Sequence, residues 1–196
     1  MNYFSIFTRE NPISNKIFMK KKIIRITTVP SSLVGLLTGQ LSFMKNYFNV
    51  IGITSPNEHD FLKKFTDKEN IQIIPVKMTR KITLIQDLMA LIKLYKIFKK
   101  ENPFIVHSHT PKAGTLGMLA AKLAGVPHRL HTIAGLPLLE STGIKRLLLN
   151  FVEKITYLCA TKIYPNSFGL EKIILDFKPF LYMYDFLEEG INPSLF

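Results

Sequence analysis

From Ile23 onward, short β-branched apolar runs alternate with longer segments whose apolar residues recur at helical spacing. The runs predict buried strands and the longer segments predict covering helices. Ile23 to Val29 reads as a strand ending at Pro30, Leu36 to Tyr47 as a helix, and Val50 to Thr54 as a strand closed by Ser55 and Pro56. Glu58 to Glu69 follows as a polar helix, Ile71 to Val76 as a third strand, and Leu84 to Lys100 as a long helix stopped by Asn102 and Pro103. Phe104 to Val106 opens a fourth strand, and Ala113 to Ala124 is a helix ended by Gly125 and Pro127. Arg129 to Ile133, Ile144 to Ala160, Lys162 to Tyr164 and Phe168 to Phe177 continue the rhythm as strand, helix, strand, helix.

A strand and helix cycle of this kind predicts an α/β fold. Its sheet is doubly wound, mostly parallel and Rossmann-like, with helices on both faces. A closed eight-fold barrel needs more chain than 196 residues. Residues 1–20 fit no periodic template and read as an extension outside the domain, with Met19 just ahead of Lys20, Lys21 and Lys22. The domain itself spans 21–177. The stretch 178–196 is aromatic and irregular, and reads as the place where a linker to a second domain would begin.

Composition narrows the class. The chain is 47% hydrophobic and 20% charged, the balance of a globular protein. Twenty-six Lys and Arg against 14 Asp and Glu give a formal charge of +12, which favours anionic lipid headgroups, phosphorylated substrates or polyanions. Nucleic acid is disfavoured, because the basic residues are dispersed and no recognition motif or stacking-aromatic pattern accompanies them. No stretch reaches the roughly 18 apolar residues that span a bilayer, and Arg9 and Glu10 interrupt any signal-like segment. The expected compartment is the cytoplasm, at or near a membrane surface. Cys159 cannot form an internal disulfide and reads as a buried small side chain.

In open parallel sheets ligands bind beyond the carboxyl ends of the strands, so candidate chemistry is sought after each strand. The fourth is followed by His107-Ser108-His109-Thr110-Pro111-Lys112-Ala113-Gly114. Thr110 suits a helix N-cap and Pro111 the first helical position, so the next helix would aim its positive dipole end at that edge. Lys112 in the first turn opposes the dipole; it either faces an anion or is a solvated lysine. His107 and His109 share a face of an extended segment, where one could serve as a general base or bind a hydroxyl. His131 lies at the end of the fifth strand before a tight loop marked by Gly135 and Pro137; a core histidine bonded to backbone competes with a site role. Ser167 follows the sixth strand as a plausible N-cap, and Gly39-Gln40 could face the same cleft.

The dinucleotide fingerprint, the phosphate loop and the nucleophile elbow are all missing from the sequence. The histidines have no cysteine partners at zinc spacing, so no metal is expected. Leu84, Leu88, Leu91, Tyr95 and Phe98 predict an apolar stripe, with Lys93, Lys96 and Lys100 on the same helix as a solvated basic face or a face on anionic lipid.

The run Ile105 to Gly114, with Gly117 to Gly125, resembles glycosyltransferase family 4 enzymes of bacterial polysaccharide assembly. So do Arg129 to Pro137, Gly143, Glu153-Lys154, Tyr164-Pro165-Asn166-Ser167 and Gly169-Leu170. Thr27-Thr28-Val29-Pro30, Gly39-Gln40-Leu41 and Pro75 to Arg80 fit the same group, and the likeness covers about residues 20–175. It implies one half of a GT-B fold, the acceptor side, and transfer of a hexose or N-acetylhexosamine from a nucleotide sugar, often UDP-linked, usually with retention. The implied acceptor is a glycan on a polyprenyl diphosphate at the cytoplasmic membrane face, with an anionic membrane surface as partner and no cofactor or bound metal. Implied catalytic residues are His109 and His131; implied acceptor-binding residues are His107, Thr110, Lys112, Gly114, Gly135 and Ser167.

Two departures from the family pattern stand out. Many relatives carry a histidine in the loop after the fifth strand, where this chain has Ala134. The donor half is expected to be missing: Gly190-Ile191-Asn192 and Phe196 resemble the motif at its entrance, but an atypical sequence joins them to Leu170. A chain of this kind is expected to be inactive alone. The competing expectation is a non-catalytic basic module that binds anionic lipid or glycan.

Overall fold

A computed structural model describes residues 20–56, 61–135 and 137–170. In chain order the elements are β1 (Lys22–Ile26), α1 (Pro30–Leu37), α2 (Gln40–Met44), β2 (Asn49–Thr54), α3 (Phe61–Glu69) and β3 (Gln72–Pro75). They continue with α4 (Leu84–Glu101), β4 (Ile105–Ser108), α5 (Pro111–Ala124), β5 (His128–Ile133), a 3-10 turn (Pro137–Glu140), α6 (Gly143–Cys159) and β6 (Lys162–Pro165). The six strands form one parallel sheet in the order β3-β2-β1-β4-β5-β6, the doubly wound order expected.

Alternation along β1 explains why the strands are apolar on both sides. Ile24 and Ile26 join Ile51, Ile53, Val106 and Ile133 in the larger core, which takes Leu94 and Phe98 from α4 and Met118 from α5. Ile23 points the other way and joins Val50, Leu33, Leu37, Leu41 and Phe65 in a smaller core on the α1, α2 and α3 side. Phe98, 1% exposed, is among the largest fully buried side chains; truncation to alanine costs about 3–5 kcal/mol at such sites. Helix α5 lies close against the sheet because its inner face is small. Ala113, Gly114, Gly117, Ala120 and Ala121 are all buried, and a methyl on Gly117 would meet Ile26 Cδ1 at 3.1 Å.

Three sequence expectations are corrected. The helix expected over Leu36 to Tyr47 is two helices, because Gly39 adopts φ 78° and breaks the run. The first of them starts earlier, with Pro30 in its first turn. The Glu69 carboxylate accepts from the backbone N–H groups of Gly39 at 2.7 Å and Ser42 at 2.9 Å, satisfying the start of α2. On α4 the buried residues are Ala90, Leu94 and Phe98, with Leu91 packed beside them; Leu84, Leu88 and Tyr95 of the expected stripe are exposed. Residues 168–170 are helical, and the rest of the helix expected to Phe177 lies outside the described residues, as do 1–19 and 178–196.

Candidate functional site

Strands β1 and β4 are neighbours, yet the chain leaves β1 toward β2 and leaves β4 toward β5. The crevice opens where such connections diverge. Two loops meet there and are tied together. The backbone N–H of Thr28 donates to Thr110 Oγ1 at 2.9 Å, the two hydroxyls lie 2.7 Å apart, and His109 N–H donates to the Ile26 carbonyl at 3.0 Å. Thr110 occupies the N-cap position of α5 with extended backbone, and Pro111 begins the helix, as the sequence predicts. The hydroxyl of Thr110 makes no cap bond, however. Thr28 supplies one instead, accepting from Ala113 N–H at 3.3 Å across the crevice.

The three histidines divide between the two faces of the sheet. His107 and His109 share a face and stack with ring centroids 4.1 Å apart. His107 Nε2 lies 2.8 Å from Thr132 Oγ1, in hydrogen-bond contact. His109 Nε2 accepts from the Nε–H of Arg25 at 2.8 Å. His131 occupies the opposite face, 2% exposed, with Nδ1 2.8 Å from Ser108 Oγ and its ring against the Cα of Gly114. All three are held neutral. Burial, then the charge of Arg25 and, once protonated, that of His131, pushes His109 down to about 2. Burial, then His109, Arg25 and His131, holds His107 well below its usual value. Burial pushes His131 down to about 4 against a hydrogen bond from its ring to the Ser108 backbone.

Lys112 is neither free for an anion nor solvated. Its ammonium pairs with Asp87 Oδ2 of α4 at 2.5 Å and donates to the Lys81 carbonyl at 2.7 Å. The positive charge that opposes the α5 dipole is thereby neutralised within the fold. Gly114 acts as the platform for the His131 ring, and Gly135 lies half-buried in the loop after β5 next to exposed Ala134. Ser167 Oγ accepts from Leu170 N–H at 3.3 Å, the cap expected of it.

Arg25 was not singled out from the sequence, and Glu153 was named there only within the family likeness, with no role. Arg25 sits inside β1 and is 4% exposed, with its Nη groups donating to Gln40 Oε1 at 3.2 Å and Met44 Sδ at 2.7 Å. Its signal was a lone charge within Ile23-Ile24-Arg25-Ile26. Glu153, on α6, is buried, and burial lifts its carboxyl to about 7 against a hydrogen bond from Tyr157. Among the described residues no group of three or more His, Cys, Asp or Glu could hold a metal ion. None of the described helices is long and apolar enough to cross a membrane.

Comparison with known proteins identifies the family and the fold. The family described as glycosyl transferase 4-like matches residues 36–167. The capsular polysaccharide biosynthesis glycosyltransferase CapM of Staphylococcus aureus is 39% identical over 155 residues, 79% of this chain and 40% of CapM. The UDP-Gal:alpha-D-GlcNAc-diphosphoundecaprenol alpha-1,3-galactosyltransferase of Escherichia coli is 44% identical over 88 residues, 44% of this chain and 22% of that enzyme. A crystal structure of a UDP-N-acetylglucosamine 2-epimerase superposes with a TM-score of 0.63 at 17% identity, over 81% of this chain and 45% of the epimerase, which is a likeness of fold. The chain thus spans at most two-fifths of the curated relatives it matches.

Proposed function

The chain belongs to the glycosyl transferase 4-like family, and from that membership we propose that it forms the acceptor-binding half of a sugar transferase of cell-surface polysaccharide assembly. The observation that carries the reading is the joined pair of loops at the β1–β4 crevice, where Thr28 holds Thr110 and brings His109 to the ligand edge. The acceptor is a glycan on a polyprenyl diphosphate, the class named for the Escherichia coli relative. The sugar, a hexose or N-acetylhexosamine, comes from a nucleotide sugar of the UDP class held by a partner half.

Within that reading His109 contacts the acceptor directly, flanked by the loop at Gly135 and the helix start at Ser167. His107, bonded to Thr132, fixes the ring that stacks on it. Thr110, Lys112 and Gly114 act through the scaffold: one joins the loops, one anchors α5 to α4, one seats His131. Replacing His109 with alanine should weaken binding of a short-chain polyprenyl-diphosphate N-acetylhexosamine about tenfold or more, as expected for loss of a buried, charge-assisted contact. Calorimetry showing equal affinity for both proteins would remove His109 from the site.

A second element concerns the membrane. The N-terminal ends of α4 and α6 start at the same sheet edge and expose Leu84 (82%), Ile85 (78%) and Ile144 (87%) beside Arg80, Lys81, Lys145 and Arg146. Apolar residues rimmed by cations suit an anionic lipid surface, which is where a polyprenyl acceptor resides.

A further inference from the structure

Arginine inside a parallel strand is costly to bury, and among the described residues Arg25 has no carboxylate to offset it. Among the described residues its bonds go to neutral acceptors: Nε–H to His109 Nε2 at 2.8 Å, Nη1 to Met44 Sδ at 2.7 Å and Nη2 to Gln40 Oε1 at 3.2 Å. Guanidinium can only donate. The nitrogen of His109 that faces Arg25 must therefore be the one without a proton, and the proton of the neutral ring sits on Nδ1. A second proton on Nε2 would set N–H against N–H beside a fixed positive charge.

We propose that Arg25 is a positioning residue that locks His109 in the Nδ1–H tautomer, so that His109 serves the acceptor site as a hydrogen-bond donor and not as a base. This assignment rests on the family reading for its use, but not for its geometry. The buried charge behind the ring polarises Nδ1–H toward an electron-rich oxygen, as charge-assisted and chained hydrogen bonds do. The lock has three sides. Arg25 comes from β1; the His107 ring stacks at 4.1 Å from β4, itself bonded to Thr132; and Gln40 and Met44 of α2 hold the guanidinium from the helix layer. Besides Arg25, the titratable group facing His109 is His107, while His131 of β5 acts on it only from the opposite face of the sheet, and neither Arg25 nor any of these histidines has an acidic partner among the described residues. Burial lowers Arg25 only to about 10, which leaves it charged at neutral pH.

The consequence for the chemistry is specific. With Nε2 committed and Nδ1 protonated, no ring nitrogen of His109 is available to accept a proton from an acceptor hydroxyl. The proton released in glycosyl transfer must then go elsewhere, while His109 orients the oxygen it touches.

The test is long-range proton–nitrogen correlation NMR on the chain with labelled histidine, free of any ligand. The His109 signals are assigned by their loss in His109→Gln. The expected spectrum shows a single tautomer with Nδ1 protonated and Nε2 bare, unchanged from pH 8 to pH 5. Arg25→Met should release the ring into a tautomer mixture that titrates in that range, and Arg25→Lys should restore the single tautomer. An Nε2–H tautomer in the parent chain, titration of its ring between pH 8 and 5, or an unchanged spectrum in Arg25→Met would overturn the proposal. Should Arg25→Met fail to fold, the parent spectrum alone still decides. Because no substrate is present, a failed tautomer lock is distinguishable from a failed acceptor site.

Discussion

The imidazole of His131 lies directly over the Cα of Gly114: a methyl group added there would stand 2.4 Å from its Cε1. The ring cannot step aside, since it is buried and bonded to Ser108. Glycine in a helix interior is ordinarily improved by alanine, by about 1 kcal/mol. Here the clash reverses the sign. Gly114→Ala should destabilise the chain by about 1–3 kcal/mol in urea melts, and His131→Ala in the same chain should relieve the clash component. A neutral or stabilising Gly114→Ala would show that α5 can slide off the sheet.

Asp87 carries two duties on α4. Its carboxylate accepts from the Thr83 backbone N–H at 3.1 Å and hydroxyl at 3.0 Å, and it pairs with Lys112 of α5. Asp87→Ala should cost about 1–2 kcal/mol through the lost cap and the partly buried pair. A double-mutant cycle with Lys112→Met should assign roughly 0.5–1 kcal/mol to the pair itself. Full additivity would mean the pair contributes nothing.

Stability should bend with pH in two opposite ways. Glu153 is lifted to about 7, so between its unfolded value and that point the folded state holds a proton the unfolded chain has lost. Its contribution therefore falls as pH rises through that window and is level above it. His107, His109 and His131 are depressed, so below about 6.5 the unfolded chain takes up protons that the folded state refuses, and stability falls with acid. Three groups outweigh one, giving a net loss toward low pH. Glu153→Gln should raise the unfolding free energy from urea melts near pH 7.5 by on the order of 1–3 kcal/mol, an advantage fading toward pH 4. A constant offset across pH would mean Glu153 titrates normally.

Vesicle sedimentation addresses the exposed ends of α4 and α6. Binding to anionic vesicles should exceed binding to zwitterionic ones and weaken with salt. The double change Leu84→Glu and Ile144→Glu should reduce it about tenfold, at roughly 1 kcal/mol or slightly less per apolar side chain withdrawn. Equal sedimentation with both lipids would leave these ends without a membrane role.

Much of the architecture was legible because strands buried on both faces appear as unbroken apolar runs, and Ile23-Ile24 and Val50-Ile51 supply both cores at once. The break at Gly39 was hidden, since an isolated glycine is tolerated in a helical pattern and only its φ of 78° separates the two cases. The offset on α4 arose because Ala90, too small to attract notice, anchors the buried face while the larger Leu84 and Leu88 lie outside. In the site, the His107 and His109 face followed from strand period alone. The partners of Lys112 and Arg25 did not, because Asp87, Gln40 and Met44 reach them only through the order in which the helices cover the sheet.

The most direct measurement sets the two substrate classes against each other on this one chain. Titrate it with a short-chain polyprenyl-diphosphate N-acetylhexosamine and, separately, with a UDP-sugar, following the backbone amides of Thr28, His109 and Gly135 by NMR. An acceptor-binding half should shift these amides with the polyprenyl ligand and leave them unmoved by the UDP-sugar at the same concentration. Saturable shifts with the UDP-sugar and none with the polyprenyl ligand would contradict the account.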